Sequence, residues 1–355
     1  MFDLQRKPLT GTRMASLLSL PTLLAGGVAP AYLLGLLGYL AAPLLVSIGA
    51  PAWEGVQREL TIVCLRIIFP MTSVLVLSAW ALGVRMGGRP YVFGLLALGC
   101  GVVALISDQD ILRTGAAVCT SAVVAVFAVV ITVPAASLLA AARETVIALV
   151  CAAVGALATI GFEPAIQTER FEYVGLALAF VAAVVLVYRL GAGLHGLGRR
   201  GLIIVGVGAL MMAGSLLYAE LLRRYGSTGL VDELRELVRW SRDTIGTFPR
   251  LVIAGLGVPA LAYGSHMRAR RRQGWWVCAF GVAATSPAAT ALANPAISLQ
   301  EAALSVVYAM VVGLIIGWFL IRLDLALTGT RGRRSRSAEQ AAAVRPEPSR
   351  FAPLL

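Results

Sequence analysis

The chain has 355 residues, 59% hydrophobic and 14% charged, with a mean hydropathy of +0.84 and a formal net charge of +12. A soluble domain carries about a quarter charged residues, so a soluble globular fold is excluded, and repeated apolar blocks imply a polytopic all-α membrane protein. Lys7 is the only lysine; arginine supplies nearly all the positive charge and sits in short loops and the tail, where membrane orientation explains it without nucleic acid.

Residues 1–23 form a basic N-terminus, MFDLQRKPLTGTR, and an amphipathic entry that leads into a retained first span rather than a signal peptide. A transmembrane domain over 24–322 follows, with about ten spans at 24–49, 60–84, 90–107, 114–140, 145–162, 172–190, 201–222, 250–267, 274–293 and 301–322. The loops RMGGRP, AARE, YRLGAGLHGLGRRG and HMRARRRQG are basic, whereas APAWEGVQRE, SDQDILR, GFEPAIQTERFE and ANPAISLQE are neutral or acidic. Their alternation places both termini in the cytoplasm.

One outer loop predicts a helix of its own over about 229–247. Leu230, Leu234, Leu237, Val238, Ser241 and Ile245 recur at helical spacing, with Arg235, Glu236, Arg239 and Arg242 mostly on other faces. Such a helix lies on the membrane surface, as a lid over a cavity mouth or as a plain cover of the bundle. The tail over 323–355, rich in Arg, Ser, Ala and Pro, has no lasting periodicity and is expected to be disordered. Its basic cluster, Arg331 to Arg336, serves either topology anchoring or a partner.

Little in the sequence points to catalysis, and the chain is expected not to be an enzyme. His195 and His266 lie in arginine-rich loops with no carboxylate at i+3 or i+4 and read as interfacial residues. Asp108 and Asp110 read as a solvated turn. Cys64, Cys100, Cys119, Cys151 and Cys278 lack metal or CxxC spacing and read as small buried hydrophobes. No nucleotide loop is visible, and neither a metal nor a cofactor is expected.

The functional signal is charge within or just inside the spans. Arg66, Glu220, Arg223 and Arg224 are candidate substrate-binding residues, because a charge in the bilayer usually faces a cavity or a partner. Arg66 is equally compatible with snorkelling, and Glu220 with Arg224 is compatible with a simple i,i+4 pair. Pro70, Pro134, Pro259 and Pro287 fall within spans and would break backbone hydrogen bonds there, as in the broken helices of transporters.

The order of features over 34–142 carries a family resemblance. An apolar run ends in Ala50–Pro51, and a short loop leads to Leu65–Arg66–Ile67–Ile68–Phe69–Pro70. Ser78–Ala79 with Gly83, Gly88–Arg89 and Pro90–Tyr91 follow, and Val133–Pro134 lies near the inner end of a later span. This stretch resembles the MurJ/MviN family of lipid II flippases in the MOP superfamily. The resemblance implies a MOP-flippase-like bundle lacking the first two family helices, so that family residues on those helices have no counterpart here. It also implies structural roles for Pro70, Gly83, Pro90 and Pro134, and a flippase or exporter of a polyprenyl-linked cell-envelope precursor working by alternating access. The expected partners are the bilayer, a lipid-linked glycan and other envelope-assembly proteins in a bacterial plasma membrane; the alternative is a non-transporting scaffold derived from this fold.

Overall fold

The computed structural model describes residues 71–107, 109–162, 164, 168–192, 198–226, 228–270, 273–328 and 347–354. From Val74 onward they belong to one compact unit. Every regular element among them is helical. The helices are α1 (Leu77–Arg85), α2 (Pro90–Ile106), α3 (Asp110–Val130), α4 (Leu138–Gly161), α5 (Thr168–Val187) and α6 (Gly198–Tyr225). They continue as α7 (Thr228–Ile245), α8 (Val258–Arg268), α9 (Gly274–Ala279), α10 (Val282–Ala293) and α11 (Leu299–Thr328). Short π-helical turns precede α1 and α8 and follow α5, at Met71–Val76, Ile253–Gly257 and Tyr188–Ala192.

Among the described residues, six segments are long and apolar enough to cross a membrane: Asp110–Val130, Leu138–Gly161, Arg170–Leu190, Gly201–Tyr218, Gly274–Ala293 and Leu299–Leu327. The expected span 24–49 lies outside the described residues, and 60–84 is described only from Met71. The helix expected over 90–107 forms as α2, but its apolar part stops at Ala104, short of a full crossing. The segment expected at 250–267 is interrupted by the π turn before Pro259, whose missing N–H and bulky ring disfavour a regular turn.

Pro134 corrects another boundary. The apolar run predicts one span from 114 to 140; the structure ends α3 at Val130 and starts α4 at Leu138. The residue before a proline is pushed out of the α region, so the helix stops ahead of Val133–Pro134. Val133 N–H is then satisfied by Glu144 Oε2 at 2.9 Å, and Ala135 N–H by Ser265 O at 3.0 Å. Ser137 caps α4 by accepting the Ala140 N–H. The loop expected at AARE is therefore helical and lies in the first two turns of α4.

Small residues set the helix contacts. A Cβ on Gly257 would lie 2.1 Å from Ala284 N, one on Gly155 2.4 Å from Val124 Cγ1, and one on Gly281 2.5 Å from Leu261 Cδ2. Close backbone approach of this kind is how helices pack where lipid removes the usual hydrophobic drive. The same pairs fix direction. Val124 faces Gly155 while Val133 faces Glu144, so α3 and α4 are antiparallel. Val258 faces Gly313 while Ala262 faces Gly317, so α8 and α11 are parallel. Gly264 faces Cys278 while Gly257 faces Ala284, which sets α9–α10 antiparallel to α8.

Outward faces are strongly apolar. Leu210, Leu202, Ile203 and Tyr218 of α6, Leu95 and Leu96 of α2, and Ile315 and Phe319 of α11 are all exposed, the belt expected of a surface that meets lipid chains. Cys100 and Cys119 join that exposed surface and Cys151 is part-buried; of the described cysteines, only Cys278 is the buried small hydrophobe expected.

The amphipathic helix forms close to its expected bounds, as α7. Leu234 and Val238 are half-buried and Ser241 is buried, whereas Leu237, Trp240 and Ile245 are exposed. Its C-terminal end is tied to α11: Ser241 Oγ donates to Thr247 O at 2.7 Å, Thr247 Oγ1 donates to Glu301 O at 3.2 Å, and Arg242 pairs with Glu301 at 3.1 Å. Gly246 makes the turn between them at φ +81°, which favours a residue without a side chain.

Candidate functional site

One end of the bundle gathers buried charge. The C-termini of α1, α3 and α8 and the N-terminus of α4 meet there, as the helix directions require. Arg85 and Arg268 are 2% and 0% exposed, and Glu144 is 1% exposed. Buried charges are tolerated only when paired and hydrogen-bonded, so their partners define the site.

Arg268 Nη1 donates to Thr132 Oγ1 at 2.8 Å and Nη2 to Thr132 O at 3.0 Å. The broken α3–α4 connection thus supplies acceptors that a continuous helix would have used internally. The Arg268 guanidinium also stacks on the Trp275 ring, 3.5 Å from its centroid. Arg85 Nε donates to Val130 O at 3.5 Å, two residues before Thr132, so both arginines reach the C-terminal end of α3. Desolvation, and then the charge of Arg268, lower the Arg85 pKa to about 10, so it stays protonated at neutral pH.

The remaining partners come from the tail. Glu347 Oε2 accepts from Arg268 Nη2 at 2.6 Å. Arg85 Nη1 donates to Ser349 O at 2.5 Å and Ala352 O at 2.7 Å, and Arg85 O accepts from Leu354 N–H at 2.8 Å. Arg350 grips Glu144 with both Nη atoms, at 2.6 and 2.8 Å, and donates to Ile131 O at 3.2 Å. Arg143 completes the shell of Glu144 at 3.0 Å. Residues 347–354 are therefore a docked strap, and the expectation of disorder does not hold for them; its basic cluster, 331–336, lies outside the described residues.

His266 is inside the bundle rather than in a loop. It is 4% exposed, with Nδ1 3.1 Å from Ala135 O. Among the described residues, no three of His, Cys, Asp or Glu converge as metal ligands would.

A second feature faces sideways. An apolar groove of about 500 Å³ is lined by Ile203, Val207 and Met211 of α6, Tyr263 of α8, Phe280, and Leu320, Leu323 and Asp324 of α11. Because α8 and α11 run parallel, this groove lies in the half of the bundle nearest the buried arginines.

The residues singled out from sequence fall elsewhere. Arg66, Pro70, His195 and Asp108 lie outside the described residues, as does the side chain of Arg223. Arg224 pairs with Glu220 one turn away on an exposed face of α6, far along the helix from the groove. Asp110 opens α3 and is exposed. Gly83 packs against Pro90, which starts α2, and Pro134 lies in the α3–α4 break. In the sequence, Arg85, Glu144 and Arg268 stand in basic loops and carry no sign of burial. Pro134 was the available signal: a broken helix end needs substitute partners, and Glu144 is the nearest acid after it.

No family model matches the chain, and neither a curated protein nor a solved structure matches it.

Proposed function

We propose that this multi-pass membrane protein carries an amphipathic, polyprenyl-linked cell-envelope precursor across a bacterial plasma membrane, as a MurJ/MviN-like flippase working by alternating access. The observation that carries this reading is the sideways apolar groove of about 500 Å³, in the same half of the bundle as the buried arginines. A lipid-linked glycan has an apolar chain for such a groove and an anionic head for arginines. By the positive-inside rule, the end holding Arg85 and Arg268 faces the cytoplasm. Arg66, Arg223, Arg224 and Glu220 are proposed to meet the head group along its route.

The test is a flipping assay in vesicles with a fluorescent polyprenyl-diphosphate glycan. Wild-type protein is expected to move the probe. Val207→Trp, which fills the groove from a residue already at its wall, is expected to slow it at least tenfold, and Arg66→Ala to slow it too. Absence of movement by the wild type sinks the flippase reading.

A non-transporting scaffold is favoured by a different observation: 94% of the segment Gly274–Ala293 is buried at the centre of the bundle, where alternating access needs helices to part. Under that reading the wild type moves no probe, yet co-purifies with other envelope-assembly membrane proteins.

A further inference from the structure

We propose that Arg85 and Arg268 form a binding site for a phosphate group, and that the strap Glu347–Leu354 is its resident competitor. This goes beyond the flippase reading and stands if that reading fails.

The donors exceed what the strap uses. Arg85 Nη2 and Arg268 Nε are buried and have no hydrogen-bond partner, although both side chains are at least nine-tenths buried. Buried polar groups are nearly always hydrogen-bonded, so two unpartnered nitrogens on adjacent guanidiniums leave room for a further acceptor, such as an anion. The strap covers Arg268 Nη2 with one carboxylate oxygen of Glu347 and Arg85 Nη1 with two backbone carbonyls. Carbonyls carry no net charge, so the strap brings a single anion to two guanidiniums.

Leaving of the strap exposes a matching set. It takes away Glu347 and Arg350 together, and leaves Arg85 and Arg268 against Glu144, a net charge of +1. Glu144 keeps Arg143 and the Val133 N–H. Four guanidinium nitrogens, Nη1 and Nη2 of Arg85 with Nη2 and Nε of Arg268, are then free to donate. A carboxylate has two oxygens and one charge; a phosphate group has three oxygens to accept from this fork and up to two charges. Trp275 under Arg268 and Thr132 beside it hold that guanidinium in place with or without the strap. The phosphate comes either from a lipid headgroup, since the site lies at one end of a membrane bundle, or from a free anion.

Hydrogen exchange of the full chain in nanodiscs tests this without any substitution. Three probes are compared: inorganic phosphate and pyrophosphate added to phosphatidylcholine discs, and phosphatidic acid built into the discs, each against chloride at matched ionic strength. At least one probe is expected to speed exchange of the 347–354 amides tenfold or more, that of Leu354 included, while chloride does not. Response to the free anions assigns a soluble source; response to phosphatidic acid alone assigns a headgroup; either supports the site. The double variant Glu347→Ala/Arg350→Ala, which frees the site, is expected to bind the active probe at least fivefold more tightly, and Arg85→Gln at least tenfold more weakly. Strap exchange indifferent to all three probes, or equally sensitive to chloride, overturns the proposal. So does a double variant that binds no more tightly than wild type.

Discussion

The segment Gly274–Ala293 and the segment Gly201–Tyr218 are both apolar enough to span a membrane, yet 94% of the first is buried and only 17% of the second. The buried one is rich in Ala, Thr and Ser, with Ala283, Ala284, Thr285 and Ser286 fully enclosed beside the buried rings of Trp275, Trp276 and Phe280; the peripheral one carries Leu202, Ile203, Leu210 and Met211 outward. Apolar residues therefore occupy both places, and what distinguishes the buried segment is its run of small residues at the closest helix contacts. In lipid, burial of apolar area gains nothing over lipid contact, so position is decided by how closely backbones can approach.

That contrast can be broken most severely at Gly257. Any side chain there meets the backbone of Ala284, which cannot rotate away, so Gly257→Leu is expected to cost about 3 kcal/mol or more. Unfolding in detergent titrated with SDS would show it as loss of the folded species. Arg268→Met comes next, at about 3 kcal/mol, because it strands Glu347 and the Thr132 acceptors. Adding Glu347→Gln should recover part of that loss, and a double-mutant cycle on the same titration measures how much. Thr285→Val removes the hydroxyl that donates to Ala125 O at 3.0 Å across the α3–α10 contact, and should cost about 0.6 kcal/mol. Leu210→Ala, on the outward face of α6, should stay within about 0.5 kcal/mol of wild type. A Leu210 effect as large as that of Gly257 would erase the distinction between the two segments.

Helix existence was legible in the sequence because apolar runs and the period of Leu234, Val238 and Ser241 are local signals. Helix interruption was less so. Pro134 was visible, but whether a proline kinks a span or ends it depends on what satisfies the freed groups, here Glu144 and Ser265. The charged cluster was not legible at all. Arg268 meets Thr132 136 residues away and Arg350 meets Glu144 206 residues away, so no window of sequence contains the pair. The strap also escaped notice because much of what docks it is backbone: the carbonyls of Ser349 and Ala352 and the N–H of Leu354 carry no residue-type signature.

The strap has a consequence for biogenesis. Arg85 is synthesised 264 residues before Ser349 and 267 before Ala352. At about 5–20 residues per second, its guanidinium waits roughly tens of seconds for these carbonyls. Through that interval the helices around it enter the membrane while Arg85 and, once made, Arg268 still lack their strap acceptors. Until the strap arrives, water or lipid headgroups must solvate them, which holds that end at the membrane surface while the bundle assembles. Docking of residues 347–354 is then the step that lets Arg85 and Arg268 become interior residues.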